Sequence, residues 1–166
     1  MKHTFVMKYS TNLAFFLIAF VLLLSSCDKE DPVIPNEEEL ITTLTYTLTP
    51  AGGGAPVILS FVDLDGDGGN APTLSSDAFA ANQTYSGVLV LQNESISPVD
   101  NITLEIEEEA EEHQFFFQST VTGLSIAYND QDGNGNPIGL SSTLTTGAAG
   151  TGTLTIVLRH EPDKAA

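Results

Sequence analysis

Residues 40–49 read LITTLTYTLT, and this stretch decides the fold class. Leu44, Tyr46 and Leu48 alternate with threonines, which is the period-two pattern of a strand that buries one of its faces. Threonine and tyrosine are also favoured in strands, because their side chains fit a pleated, half-buried surface. The sequence therefore predicts a β-strand here, with Leu44, Tyr46 and Leu48 facing a core.

The same pattern returns further along the chain, in short runs separated by Gly, Pro, Asn and Asp. Val57, Leu59 and Phe61 share one face of PVILSFV, and the later runs are TYSGVLVLQ (84–92), QFFFQ (114–118), GLSIAY (123–128), IGLSSTLTT (138–146) and TGTLTIVLRH (151–160). About seven or eight short strands at this spacing predict an all-β fold. We expect a single β-sandwich, immunoglobulin-like or jelly-roll-like.

The segment Asn101–His113 (NITLEIEEEAEEH) leaves two alternatives open. Its first residues alternate as in a strand, but the glutamate run that follows favours a helix. In a helix, Ile102, Ile106 and Ala110 share one face, and Asp100 is placed to act as the N-cap. A short helix is the preferred alternative.

The first 26 residues predict a signal peptide. Lys2 and Lys8 precede an apolar run of 12 residues, Leu13 to Leu24, which is followed by Ser25-Ser26-Cys27. As a helix that run would extend only about 18 Å, well short of the ~30 Å hydrocarbon core of a bilayer. Small residues leading directly into a cysteine resemble the lipobox of bacterial lipoproteins, so Cys27 is the expected lipidation site. Residues 27–39 are then a disordered tether and residues 40–166 the β-sandwich domain.

The residues after the cysteine carry a further resemblance. Asp28-Lys29-Glu30-Asp31 resembles the acidic, lysine-containing export signal that follows the lipidated cysteine in Bacteroidota lipoproteins. The resemblance implies an outer-membrane protein, held by its lipid anchor and facing the cell exterior. The alternative is an ordinary charged spacer, since residues next to a lipid anchor are commonly polar.

Charge and composition exclude several classes of function. The chain has 22 acidic residues against 5 lysines and arginines, and all 22 follow Cys27. Such a chain repels nucleic acid and attracts cations. With the single cysteine lipidated, disulfides and sulfur-bound metals are excluded too. The sequence contains no nucleophile elbow, zinc-protease motif or P-loop, so we expect a protein that is not an enzyme.

Two loops repeat each other 67 positions apart. FVDLDGDG (61–68) aligns with YNDQDGNG (128–135), and both carry the D-x-D-x-[D/N]-G pattern that opens many calcium loops. No glutamate stands at loop position 12, so these are not EF-hands. The expected Ca²⁺ ligands are Asp63, Asp65, Asp67, Asp130, Asp132 and Asn134. The alternative is a pair of ordinary acidic turns, because Asp-Gly and Asn-Gly are common hairpin turns.

A second group of candidate ligands combines histidine with carboxylates. His113 ends the glutamate run that includes Glu112, and His160 is followed by Glu161. If neighbouring strands bring these together, the set suits Zn²⁺, Cu²⁺ or Ni²⁺. The alternative is a solvated acidic face with two unrelated histidines. In Phe115-Phe116-Phe117 the outer two share a face, so Phe116 is either covered by the helix or exposed as a ligand contact.

From Val33 to Lys164 the chain resembles a family of small Bacteroidota outer-membrane lipoproteins catalogued as "type 1 periplasmic binding fold superfamily protein". The residues that carry the resemblance are EELITTLTYTLTP, SFVDLDGDGGNAP, EEEAEEHQFFFQ and LRHEPDK. The resemblance implies an envelope protein that assists TonB-dependent uptake. Two functions are therefore expected as alternatives: a module that captures a metal or small ligand beside a transporter, and a calcium-stabilised structural or adhesive module.

Overall fold

The computed structural model describes residues 39–66 and 69–164. The predicted signal peptide, Cys27 and Asp67 lie outside these residues. The described part contains one short helix, α1 (Ile102–Glu108), and eight strands: β1 (Thr43–Pro50), β2 (Val57–Val62), β3 (Thr73–Ser76), β4 (Thr84–Gln92), β5 (His113–Ser119), β6 (Ser125–Tyr128), β7 (Ser141–Thr145) and β8 (Leu154–His160).

The strands form two antiparallel sheets. Six strands make one sheet in the order β3-β2-β1-β4-β7-β6, while β5 and β8 pair alone as a second sheet. Residues of both sheets belong to one apolar core, which contains Tyr46 and Leu89 of the large sheet and Phe115 of the small one. The predicted all-β, sandwich-like fold with one short helix is confirmed.

Alternation places the core residues as the sequence predicts. In β4, Tyr85, Gly87, Leu89 and Leu91 are buried while the residues between them are exposed. Tyr46 and Leu48 of β1 are fully buried, and Leu44 is partly buried against the core. The pattern is clear because these strands have one face on the core and the other in solvent.

Helix α1 resolves the ambiguity of residues 101–113. Ile102 and Ile106 are buried and Ala110 packs against the core, so the predicted helical face is confirmed. The N-cap is Asn101 rather than Asp100, and its side chain makes no capping hydrogen bond. Instead, the Thr103 hydroxyl accepts from the Leu91 amide at 2.8 Å, and this contact holds the helix against β4.

A glycine inside β4 makes room for a tyrosine that crosses the sheet. The Tyr46 hydroxyl of β1 lies 2.6 Å from the Ser142 hydroxyl of β7, although β4 runs between these strands. A Cβ atom at Gly87 would lie only 2.6 Å from that tyrosine ring and its oxygen. A glycine in a strand interior is typical of such a close approach.

In the small sheet, the first residue of β5 pairs with the last residue of β8. In the register of β5 and β8, His113 lies opposite His160, Phe115 opposite Leu158 and Phe117 opposite Ile156. Within the described part of the chain, no helix has the length and apolar character needed to cross a membrane.

Candidate metal centre

The two histidines of the predicted domain lie side by side at one end of the small sheet. Because β5 begins at His113 and β8 ends at His160, antiparallel pairing places them opposite each other. Their rings are stacked, with centroids 4.9 Å apart and planes inclined by 19°. His113 is fully buried, and the His160 side chain is 20% exposed. The structure therefore brings together the two histidines that the sequence proposed as ligands.

His113 belongs to an inner cluster, which we define as Glu39, Glu109 and His113. Each of these residues offers a ligand atom, and the three atoms lie within 4.8 Å of one another. His113 Nε2 is 2.8 Å from Glu39 Oε1, and Nδ1 is 3.1 Å from the Glu109 carbonyl oxygen. The ring is thus held between the end of α1 and Glu39, four residues before the first strand.

The geometry around His113 assigns different roles to its two nitrogens. A carbonyl oxygen can only accept, so Nδ1 carries a proton and donates to Glu109. In a neutral ring this leaves the lone pair on Nε2, as in histidines that bind metals through Nε2. In that state the buried Nε2 receives no hydrogen bond, because Glu39 Oε1, 2.8 Å away, is itself an acceptor.

An outer cluster, defined as Glu112, His160 and Glu161, lies next to the inner one. Its three ligand atoms also lie within 4.8 Å of one another, and His160 Nε2 is 3.7 Å from Glu112 Oε2. Glu161 has a φ of +49°, which ends β8, and its amide donates to the Glu112 carbonyl at 2.6 Å. Both carboxylates are exposed, so this cluster is accessible from solvent.

Negative charge is concentrated around the clusters. Partial burial raises the pKa of Glu105, and the charges of Asp100, Glu39 and Glu109 raise it further. Like charges this close destabilise one another, and a bound cation reduces that repulsion. The site therefore favours a positively charged ligand.

The first aspartate loop uses its carboxylates to hold its own backbone. Asp63 Oδ1 accepts from the Gly66 amide at 3.0 Å. Asp65 Oδ2 accepts from both the amide and the side chain of Asn70, at 3.0 and 2.7 Å. These bonds, the Asn70 amide first, lower the pKa of Asp65. The third predicted ligand, Asp67, lies outside the described residues.

The second aspartate loop is tied even more closely to the protein. Both Asp130 oxygens accept from backbone amides of residues 139–141 at 2.8 Å. Asp132 Oδ1 accepts from the Asn134 amide at 2.9 Å, and its Oδ2 pairs with the Lys164 ammonium at 3.0 Å. A calcium ion would have to compete with these donors. Among the described residues, neither metal-ligand cluster includes these aspartates, so calcium binding here stays a prediction.

Of the two alternatives for Phe116, covered by the helix or exposed, the structure shows the exposed one. Phe115 is fully buried and Phe117 packs against the core, whereas Phe116 points outward and is 38% exposed. The Arg159 guanidinium lies 5.7 Å from the centre of its ring, within the range of a cation–π contact. Nothing among the described contacts tests its predicted role in ligand binding.

Glu39 and Glu109 are the site residues that sequence reasoning missed. Glu39 was expected to be the last residue of a disordered tether, yet its side chain is only 8% exposed against His113. Glu109 was one of several equivalent glutamates in a run. For Glu109 the signal was its place directly after the end of α1, whereas Glu39 lies four residues before β1 and has no such local signal. Comparison with family models, curated proteins and solved structures gave no match.

Proposed function

We propose that this domain is a non-catalytic module that binds a divalent transition-metal ion at the paired histidines. The observation that carries the proposal is the buried Nε2 of His113. It makes no hydrogen bond, although the Glu39 carboxylate lies 2.8 Å away. Two acceptor atoms this close repel each other, and a metal ion bound to both would replace that repulsion with attraction.

The placement of Glu39 supports an ion rather than a simple hydrogen bond. In the neutral ring Nε2 and Glu39 Oε1 can both only accept, so a positive group, either a metal ion or a second proton, must lie between them. Atoms 2.8 Å apart can both be about 2.0–2.1 Å from one ion, which is the usual length for zinc bonds to histidine and carboxylate. The alternative is a second proton on His113, which would make an imidazolium–carboxylate pair, and the experiment below distinguishes the two.

The ligand types favour a transition metal over calcium. Imidazole suits Zn²⁺, Cu²⁺ and Ni²⁺, while calcium requires six to eight oxygen ligands. The outer cluster lies in solvent beside the buried one, so it offers a first binding position for an arriving ion. In this proposal the inner cluster holds the ion, and His160 of the outer cluster supports it by stacking on the His113 ring.

The cellular role follows from the sequence features rather than from the site. A lipid on Cys27 would anchor the domain to the outer membrane, facing the exterior. Such a module suits metal capture as an accessory to a TonB-dependent transporter. The alternative function, a calcium-stabilised structural or adhesive module, is supported by the two aspartate loops.

Calorimetry on the chain from residue 28 to 166 tests the proposal, with Zn²⁺, Cu²⁺ and Ca²⁺ as separate titrants. We expect micromolar binding of the transition metals, weakening below about pH 6, where histidine becomes protonated. His113→Ala, His160→Ala and Glu39→Gln should each weaken it by at least about 10-fold. Glu94→Gln, an exposed carboxylate outside both clusters, is the matched control and should bind like the parent.

Two results would overturn the proposal. One is an unaltered parent that binds neither Zn²⁺ nor Cu²⁺ at micromolar concentration. The other is binding that survives all three site variants. Nitrogen-15 NMR of the imidazoles adds a direct check, because a His113 ring protonated on both nitrogens at neutral pH, with or without metal, would establish the ion-pair alternative.

A further inference from the structure

A large cavity opens between the two sheets, away from the paired histidines. Its volume is about 980 Å³, at the upper end of the roughly 300–1,000 Å³ typical of small-molecule sites. Leu44, Leu59 and Phe61 of the large sheet form one wall, and Ile156 and Leu158 of β8 form the opposite wall. These side chains line the cavity and are only partly buried, so the core is not filled here.

The cavity exists because the small sheet covers only part of the large one. On the filled side, Tyr46, Tyr85 and Leu144 are almost fully buried. On the open side, the rim is formed by the edge strand β3 and by residues 147–152, whose sequence is GAAGTG. Glycine, alanine and threonine cannot close a gap of this size. Leu74 of β3 is the most exposed large apolar side chain among the described residues, at 74%.

The described lining contains no charged residue. Among the residues that the structure describes, 27 surround the cavity, and none of them is Asp, Glu, Lys, Arg or His, in a chain with 22 acidic residues. The two basic residues of the described domain are used elsewhere: Arg159 lies over Phe116 and Lys164 pairs with Asp132. A carboxylate or phosphate in the cavity would have no cation to pair with and would feel the negative field of the protein.

We propose that this cavity binds an uncharged, predominantly hydrocarbon small molecule. The leucine, isoleucine and phenylalanine side chains bury its apolar body, because contact with apolar surface removes both from water. Thr151 at the rim offers a hydroxyl that suits one neutral polar group, for example an alcohol or an ester carbonyl. Free fatty acids and other anions are excluded by the missing cation. This inference is independent of the metal proposal, since the two sites share no residue.

The test uses 1-N-phenylnaphthylamine, an uncharged apolar dye, in a fluorescence titration of the chain from residue 28 to 166 in EDTA. All described strands and core residues lie within this range, which includes the compact unit formed by residues 38–166. We expect saturable binding of one dye per chain. The anionic dye 8-anilinonaphthalene-1-sulfonate should bind at least about 10-fold more weakly, a difference of about 1.4 kcal/mol.

Adjacent residues on the same strand provide matched variants. Leu59→Trp and Ile156→Trp fill the cavity from opposite walls, whereas Ile58→Trp and Val157→Trp place the same side chain on the outer faces. The first two should weaken dye binding by at least about 10-fold and the other two should leave it unchanged. Melting curves check that each variant folds, and the two walls provide independent cases if one variant does not.

Five outcomes would overturn the inference. The first four are no saturable binding, equal loss of dye binding in the cavity-filling and control variants, binding of the anionic dye that is as tight as or tighter than that of the neutral dye, and dye binding that appears only when residues 28–38 are removed. The fourth outcome would make the chain's own amino-terminal segment the occupant. The fifth outcome is dye binding that disappears at higher protein concentration as the protein forms a dimer, which sedimentation would measure. This result would assign the cavity to a second copy of the chain and would also overturn the proposal.

Discussion

The hydrogen bond between Tyr46 and Ser142 should contribute measurably to stability, and its removal can be predicted in detail. Both side chains are fully buried, and each hydroxyl is the other's partner at 2.6 Å. Tyr46→Phe removes one hydroxyl and leaves the other buried without a partner. The expected loss is about 1–3 kcal/mol in the free energy of unfolding.

Gly87→Ala tests the same contact from the strand between them. The new Cβ would lie 2.6 Å from the Tyr46 hydroxyl and 2.8 Å from the Ser142 hydroxyl, so the ring must move and the bond must break. Overpacking of this kind costs about 1–3 kcal/mol. Because Gly87→Ala already breaks the bond, adding Tyr46→Phe should cost less in that background than alone, so the two losses should not add.

Equilibrium urea unfolding, followed by circular dichroism, measures these losses. With a slope of about 1–3 kcal/mol/M, a loss of about 2 kcal/mol moves the midpoint by roughly 1 M. Ser60→Ala is the control, since Ser60 and Ser75 make a comparable hydroxyl contact of 2.8 Å in an exposed position. It should change stability by less than about 0.5 kcal/mol. Additive losses for Tyr46→Phe and Gly87→Ala, or losses equal to the control, would refute the reasoning.

The remaining predictions concern the second aspartate loop and the anchor. Burial raises the pKa of Asp132, but the Asn136 amide and Lys164 lower it by more, so the net pKa is below its ordinary value. The ionised Asp132 therefore stabilises the folded state fully above about pH 4, and this contribution is lost as the pH falls through the lower pKa of the folded state. Lys164→Met removes part of the contribution, so its melting temperature should fall less below pH 4 than that of the parent. If the aspartate loops bind calcium, about 5 mM Ca²⁺ should raise the melting temperature relative to EDTA while Mg²⁺ does not, and no shift would identify ordinary turns. Cys27→Ser should release the protein from the membrane fraction and abolish palmitate labelling, whereas unchanged fractionation and labelling would refute lipidation.

Alternating sequence patterns predicted most of the fold, because strands with one face in solvent leave a clear period of two. The exception is β3, whose sequence TLSS is short and exposed on every residue. It forms because the edge of β2 offers unpaired backbone groups, and local sequence carries no trace of that contact. The sequence of α1 was ambiguous for a related reason. Its apolar residues fit both the period of a strand and that of a helix, and burial of Ile102 and Ile106 in the core favours the helix.

The site was predicted in its residue types but not in its arrangement. His113 and His160 were both proposed as ligands, yet their pairing depends on the register of two strands separated by more than thirty residues. Glu39 enters the site because the chain approaches β1 beside His113, a tertiary contact that no local pattern encodes. The repeated aspartate motif, by contrast, was a strong local signal whose carboxylates the structure uses largely for backbone hydrogen bonds.

The small sheet connects the two proposed sites without merging them. Along β8, Ile156 and Leu158 face the cavity, and two residues later His160 faces His113 at the end of the same inner face. The apolar core supports this strand pair, since Phe115 of β5 is fully buried in it. A cation at the His113 end of the β5–β8 pair and a neutral apolar molecule beside Ile156 and Leu158 would therefore bind to the same two strands through different residues. Variants at His113 should leave dye binding unchanged, and variants at Leu59 should leave metal binding unchanged.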